Sequence, residues 1–354
     1  MNIPKFGLNR HNTSSVSAFT ADVIRAEKIG WDCAFLPDSP LRLRDNYVLL
    51  SGAAQATKTI TIGPLLTNPI TRHPSVTASS IATVAELAPN RTILGLGVGD
   101  TAVRLAGLKP ARVKELEQSV HIIKSLLAGK EVEVGAVRPA KLPFPQNVPV
   151  WLAAGGPKTL EMAGSCADGV FIRVGTDIKN IKNSVNRIKE GAIKSGLDPS
   201  TIKLGAIFHT VFCEDEDDAM FMGKSMAAGY YEYSPMLIEN LNIPWNGPHP
   251  DELKNQGLVW PDFHHAADLI QSGKAVDFIS ENLAKAFCLM GGTNQITNQI
   301  VQILKECMNI GIEFEYVVLH PIPNPPIPDN GPSAYLERIP KEVLSRVKKI
   351  LTKQ

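Results

Sequence analysis

The stretch TITIGPLLTNPITRHPSVTASSIATVAELAPNRTILGLGVGD, residues 59–100, decides the fold. Its apolar run over 59–66 reads as a buried strand that stops at Thr67 and Asn68. Apolar residues at helical spacing over 75–87, with Pro74 just ahead, read as a helix, and 92–98 reads as a second buried strand dissolving into Gly97, Gly99 and Asp100. Strand, helix and strand make one βαβ unit, because two parallel strands need a crossover of a dozen or more residues. Ligands of parallel α/β proteins meet the C-terminal strand ends, so Thr67, Asn68, Gly97, Gly99 and Asp100 are the first site candidates.

Upstream, the same pattern repeats twice. Residues 3–8 form a short strand, and a Thr/Ser cluster caps a helix over 16–28 that Gly30 ends in a left-handed turn. WDCAFLPD (31–38) is a second strand ending in Asp38, followed by a helix over 47–57. Downstream come a helix over 112–127, a small hairpin excursion in GKEVEVGAVRPAK (129–141), and a fifth strand over 148–154. A sixth strand over 167–174 leads to a helix over 177–194, and IKLGAIFHTVF (202–212) is the seventh strand.

Residues 215–283 are too long for one crossover helix and are rich in aromatics, Pro and His, so they read as an insertion of helices and loops over one barrel end. A helix over 293–308, an eighth strand EFEYVVLH (313–320) and a closing helix over 341–351 complete the chain. Eight strands, each followed by a helical segment, predict an α/β fold, a single-domain (β/α)8 TIM barrel over 1–354 with an insertion after strand seven. A doubly wound open sheet would need fewer strands or a clear domain break. The Pro-rich PIPNPPIPDNGP (321–332) reads as a loop.

Of 354 residues, 36 are Lys or Arg and 35 Asp or Glu, a formal charge of +1 that favours neither nucleic acid nor an anionic membrane. The five cysteines, Cys33, Cys166, Cys213, Cys288 and Cys307, show no CxxC spacing, which argues for buried thiols rather than a disulfide framework or zinc cluster. The first residues lack the apolar run of a leader and no stretch has the roughly 20 apolar residues of a membrane helix, so a cytoplasmic protein is expected.

The strings IGPLLTNPITRHPSVTASSIATVAEL, TILGLGVGD and VPVWLAAGGPKTLEMAGSCADGVFIRVG resemble the bacterial-luciferase-like superfamily, above all its branch of deazaflavin-dependent methylenetetrahydromethanopterin reductases. The resemblance covers residues 5–218 and weakens in the insertion and tail. It implies a barrel that binds coenzyme F420, or alternatively FMN, at the C-terminal mouth, and a non-prolyl cis peptide near Leu65 and Leu66 behind the ring. It further implies an oxidoreductase passing hydride between the coenzyme and a small molecule. The FMN alternative is a monooxygenase fed by a flavin reductase partner. The branch has a glutamate at the end of its first strand; Asn9 stands there in this chain, and an amide delivers no proton. A homodimer is compatible with the large insertion and the apolar helices.

Gly155, Gly156 and Pro157 precede a helix expected from about 158, which puts free backbone N–H groups and a positive dipole end at the mouth of strand five. A phosphate suits that place, although a plain strand-to-helix turn would look the same. The resemblance puts the coenzyme phosphate on Ala154, Gly155 and Gly156, with Gly175 and Thr176 closing the pocket. GLGVGD lacks the third glycine of a dinucleotide fingerprint, and no helix clearly opens after it. Asp38, beside the ring by resemblance, and Asp100, which binds a ring edge or substrate or else caps a turn, are the catalytic candidates. Arg72 and His73 fit a loop salt bridge or cap as well as a substrate contact. His209 is either a barrel-facing acid or a satisfied structural histidine. Trp245, Trp260, His264 and His265 could line a lid, and no metal site is expected.

Overall fold

A computed structural model describes residues 3–324 and 333–353; part of the Pro-rich 321–332 loop therefore lies outside the described residues. Nine strands pair throughout in parallel: β1 Lys5–Leu8, β2 Cys33–Leu36, β3 Thr61–Pro64, β4 Leu94–Leu96, β5 Val150–Ala154, β6 Gly169–Ile172, β7 Lys203–Phe212, β8 Leu289–Gly291 and β9 Tyr316–Pro321. The order β3-β2-β1-β9-β7-β6-β5-β4, with helices between strands, is that of a (β/α)8 barrel. β8 lies off this path: it pairs with the last residues of β7, the ten-residue strand that outruns its neighbours.

Closure between β3 and β4 is made by backbone bonds on either side of a gap. Ile62 N–H bonds Arg91 O at 2.8 Å and Ile93 N–H bonds Ile62 O at 3.0 Å; further up, Thr67 N–H bonds Gly95 O at 2.9 Å and Gly97 N–H bonds Thr67 O at 3.0 Å. Between these pairs Pro64 has no N–H to offer, and the Leu65–Leu66 peptide is cis. On the other edge Leu65 N–H completes the last β2–β3 pair, Leu36 with Pro64, by bonding Leu36 O at 2.8 Å. Hence β3 ends at Pro64, two residues short of the span the apolar run suggested.

Three further details differ from or sharpen the sequence reading. A helix does open after the glycine string, Thr101–Leu105, because Gly99 reverses the chain at φ +82° and Asp100 O accepts from Val103 and Arg104 N–H at 3.1 and 2.9 Å. The excursion at 129–141 narrows to one antiparallel bridge, Val132 with Ala140. Residues 215–283 hold the helices Glu216–Tyr233, Met236–Glu239, Pro250–Asn255 and Leu269–Lys274 and the start of Glu281–Lys285. All five cysteines are free, and among the described residues no helix is long and apolar enough to cross a membrane.

Two apolar layers hold this together. The larger lies between the strands and the surrounding helices; the smaller fills the barrel with Phe35, Trp151, Phe171 and Tyr316 among smaller side chains. The Trp151 ring lies 4.7 Å from that of Phe171 and 5.0 Å from that of Tyr316. Rings of that size fit because the strands give way to them: a Cβ on Gly169 would stand 2.5 Å from the Trp151 ring, and one on Gly205 2.6 Å from the Phe171 ring. Overpacking this interior costs about 1–3 kcal/mol. Gly169→Ala should therefore lower the thermal midpoint by several degrees; an unchanged midpoint would show the barrel interior to be loosely filled.

A single carboxylate fixes the chain where β3 begins. Glu27 Oε1 accepts from the N–H groups of Lys58, Thr59 and Ile60 at 2.9, 2.6 and 3.0 Å, and from the Thr59 hydroxyl at 3.0 Å. Desolvation raises its pKa, but these donors outweigh it and bring the carboxyl down to about 2. Because the folded pKa lies below the unfolded one, this stabilisation is present above about pH 4.5 and lost as pH falls through about 2. Glu27→Gln should cost about 1–2 kcal/mol in urea unfolding at pH 7 and markedly less at pH 2. An equal cost at both pH values would contradict the assignment.

Candidate active site

The polar strand ends gather at one mouth. Asp38, just past β2, is buried; the Thr67 hydroxyl donates to its Oδ2 at 2.7 Å and Arg72 Nε donates to the same oxygen at 2.9 Å. Arg72 Nη2 reaches Asp45 Oδ2 at 2.5 Å, and the guanidinium lies 4.9 Å from the Tyr47 ring. Asp45 in turn caps the helix Asn46–Ala56. Burial works against the charge of Arg72, but its bonds to the two carboxylates raise its pKa, so the pairing holds it cationic. Arg72 is thus the salt bridge that the sequence allowed, and His73 is a cap: its Nδ1 accepts from Ser75 N–H at the start of Pro74–Leu87.

Asp38 Oδ1 is buried and has no partner. A carboxylate oxygen only accepts, and leaving it unmatched costs about 1–3 kcal/mol or more, so the arrangement calls for a guest that donates.

Beside Asp38 the wall is mostly backbone. Leu65 faces the barrel interior, while Leu66 is half-buried and covers Gly97, where a Cβ would stand 2.8 Å from its Cδ1. A Cβ on Gly99 would stand 2.4 Å from Val103 Cγ2 and 3.2 Å from the Asn68 side chain. Asn68 Oδ1 is committed to the turn, accepting from Ile70 and Thr71 N–H at 3.0 and 2.9 Å, which leaves its amide N–H2 as the group for a ligand. Asp100 stands apart from this group: it is exposed, takes the N-cap position of Thr101–Leu105 without a side-chain cap bond, and pairs with Arg104 Nε at 2.6 Å.

At the end of β5, the helix Pro157–Cys166 starts with Gly156 at the N-cap, Pro157 in its first turn and no side-chain cap. A Cβ on Gly156 would meet nothing within 4 Å, so the helix end opens onto free space. Ala154 is buried, and its carbonyl accepts from Arg173 N–H at 3.1 Å. Thr176 donates its N–H to Ala286 O at 2.8 Å and its hydroxyl to Lys285 O at 2.7 Å. Gly175, at φ +85°, lets Ala286 O approach to 2.5 Å of where a Cβ would be. Thr176 thus anchors the Glu281–Lys285 helix end, and both its donors point at protein.

Across the mouth lies a second polar group. His209 on β7, His320 on β9 and His264 stand with ring centroids 5.1–5.2 Å from His209, and Arg10, Arg42 and Arg173 line the same crevice. Arg173 Nη2 donates to His209 Nε2 at 3.2 Å, His264 Nε2 donates to Met226 O at 3.1 Å, and His320 Nδ1 donates to Asn9 Oδ1 at 2.9 Å. His265 pairs with Asp262 instead. Among the described residues no group of three or more His, Cys, Asp or Glu is placed to hold a metal ion. Arg10, Arg42, Arg173 and His320 were missed from sequence; three of them sit at or next to strand ends, the signal that picked out Asp38 and Thr67.

The sequence profile of the luciferase-like monooxygenase family matches residues 4–308. A 5,10-methylenetetrahydromethanopterin reductase of Methanolobus tindarius is 34% identical over 203 residues, 55% of this chain and 60% of that protein. An F420-dependent glucose-6-phosphate dehydrogenase of Intrasporangium calvum is 30% identical over 179 residues, 43% of this chain and 52% of that protein. The alignments thus span about half to three fifths of these relatives. The solved structure of the coenzyme F420-dependent tetrahydromethanopterin reductase of Methanopyrus kandleri superposes with a TM-score of 0.76 at 24% identity, covering 98% of this chain and all of that one.

Burial first, then guanidinium groups (Arg173 at His209 and His264, Arg10 and Arg173 at His320) and nearby imidazoles, hold His209 and His320 well below the usual histidine range and His264 down at about 3. All three are therefore neutral at pH 7. Ring ¹⁵N NMR should show His264 as a neutral Nε2–H tautomer with no titration between pH 8 and pH 5; a midpoint near 6.5 would contradict this environment.

Proposed function

The chain belongs to the luciferase-like monooxygenase family, and on that premise we propose that it is a coenzyme F420-dependent oxidoreductase acting on a small organic substrate. The observation that carries the reading is the buried, unmatched Asp38 Oδ1 beside a backbone-lined slot, with the uncapped, unobstructed helix start at Gly156 to receive a phosphate. That donor set fits a flat heterocycle with ring N–H groups and a phosphorylated tail. The names of the relatives point the same way: one is an F420-dependent dehydrogenase, and the M. tindarius protein is a reductase of the branch that the sequence strings resemble.

Bound F420 would supply the hydride-carrying carbon. The protein's part is to hold and orient. Leu65 and Leu66 would back the ring, Gly97 and Gly99 let it approach the β4 backbone, and Asn68 N–H2 reaches a ring carbonyl. Asp38, held in place by Thr67 and Arg72, would accept from the ring edge. Ala154, Gly155 and Gly156 would cradle the phosphate. Residues 215–283 are read as the cover of the mouth, with His264 as their contact to β7. The pterin of the reductases is not the substrate proposed. Asn9 accepts from His320, and an amide so placed holds the imidazole without donating a proton to a substrate.

Titration with F420, followed by the coenzyme's fluorescence, and with FMN should show saturable F420 binding and much weaker FMN binding. Tight FMN binding with none for F420 would overturn the reading and favour a flavin monooxygenase. Gly156→Asp adds a charge where a side chain meets no obstacle, so it should leave the fold intact and weaken F420 binding tenfold or more. Asp38→Asn should weaken it by a similar factor, about 1.4 kcal/mol.

A further inference from the structure

We propose that Arg10, Arg42 and Arg173, with His209, His264 and His320, form a subsite for an anionic group of the substrate, a carboxylate or a phosphate. This rests on the reading of the mouth as a coenzyme-binding active site and names the substrate class it would serve.

The argument begins with charge. Arg10 follows β1, Arg42 lies in the loop after β2, Arg173 follows β6, and all three line one crevice whose described walls contain no carboxylate. Among the described residues, no carboxylate lies within ion-pair distance of Arg42 or Arg173. Contrast Arg72, held between two carboxylates, and Arg338, held between Glu214 and Glu342. For Arg10 and Arg173 the fold supplies neutral acceptors, Pro321 O to Arg10 Nη1 at 3.5 Å and His209 Nε2 to Arg173 Nη2 at 3.2 Å. In the crevice it brings like charges together: burial and then Arg42 lower the Arg10 pKa to about 10. Convergent guanidinium groups are the usual means of recognising carboxylate and phosphate.

An independent observation marks the same crevice. His209 is 2% exposed, and its Nε2 faces Arg173, which can only donate; the ring proton therefore sits on Nδ1, which is buried with no partner. The wall of a crevice rich in guanidinium groups thus also holds an unmatched donor. The imidazoles are neutral, so they shape the crevice and contribute hydrogen bonds, while the arginines supply the charge.

Position separates this subsite from the coenzyme slot. The slot uses the ends of β2 to β5, and the crevice the ends of β1, β6, β7 and β9 together with Arg42 from the loop after β2. They meet at Arg173, whose carbonyl would lie 2.8 Å from a Cβ on Gly155. An anion there could come from the substrate or from the coenzyme's own tail, and the test distinguishes them.

Inorganic phosphate and succinate are titrated calorimetrically into the full chain, free and saturated with F420, and into Arg42→Gln and Arg173→Gln. Arg42 is exposed, so its replacement leaves the core untouched; melting curves check both variants. The subsite predicts saturable phosphate or succinate binding that persists with F420 bound and weakens at least tenfold in each variant, with F420 affinity unchanged in Arg42→Gln. Anion binding indifferent to both substitutions overturns the proposal. So does displacement of the anion by F420 together with weaker F420 binding in Arg42→Gln, because the arginines would then hold the coenzyme. Arginine-dependent anion binding in a protein that fails to bind F420 supports the subsite and removes the coenzyme reading instead.

Discussion

Two pairs of backbone hydrogen bonds hold β3 to β4, one pair on each side of Pro64–Leu66, and the whole mouth depends on the gap between them. The lower pair closes the barrel; the upper pair, through Thr67 and Gly95 and Gly97, fixes where the chain resumes. That fixed point places the Thr67 hydroxyl on Asp38 and starts the loop that returns Arg72 to the same carboxylate. Leu66 is left covering Gly97, and a backbone-lined slot results. Had the ladder run unbroken, Thr67 and Asn68 would alternate faces as ordinary strand residues, and their side chains could not both serve the mouth.

The mouth has two electrostatic halves. On the β2–β3 side the charges are compensated: Asp38 and Asp45 share Arg72, and the unmatched Asp38 Oδ1 is an acceptor. Across the mouth Arg10, Arg42 and Arg173 gather among neutral imidazoles, and the unmatched His209 Nδ1 is a donor. A donor-rich ring on one side and an anionic substrate on the other satisfy both at once. The aromatic floor beneath keeps the two halves at fixed spacing, since Trp151, Phe171 and Tyr316 leave no room for the strands to shift.

Much of this was legible in the sequence. Alternating strand and helix patterns gave eight barrel strands, nearly all within two residues of their observed limits, since burial on both strand faces writes itself as short apolar runs. The strand-end rule singled out Asp38, Thr67 and Asn68, which the structure gathers, buried, at the mouth. It could not find the bond between Asp38 and Arg72, 34 residues apart, because that depends on how a loop returns. It also overrated Asp100, whose carboxylate is exposed and turned to Arg104. Arg10, Arg42 and Arg173 look like scattered surface charges in the sequence; only closing the barrel brings β1 next to β9 and so joins them. The resemblance has Thr176 closing the phosphate pocket, but its donors go to Lys285 and Ala286, more than a hundred residues away.

The central claim is that the slot beside Asp38 holds F420 and leaves the arginine crevice to the substrate. A crystal structure of the protein with F420 bound tests it most directly. The account predicts the ring against Leu65 and Leu66 with a ring-edge donor on Asp38 Oδ1, the phosphate at Gly155 and Gly156, and the crevice of Arg10, Arg42 and Arg173 clear. A coenzyme phosphate seated among those arginines, or a ring that leaves Asp38 Oδ1 unmatched, would contradict it.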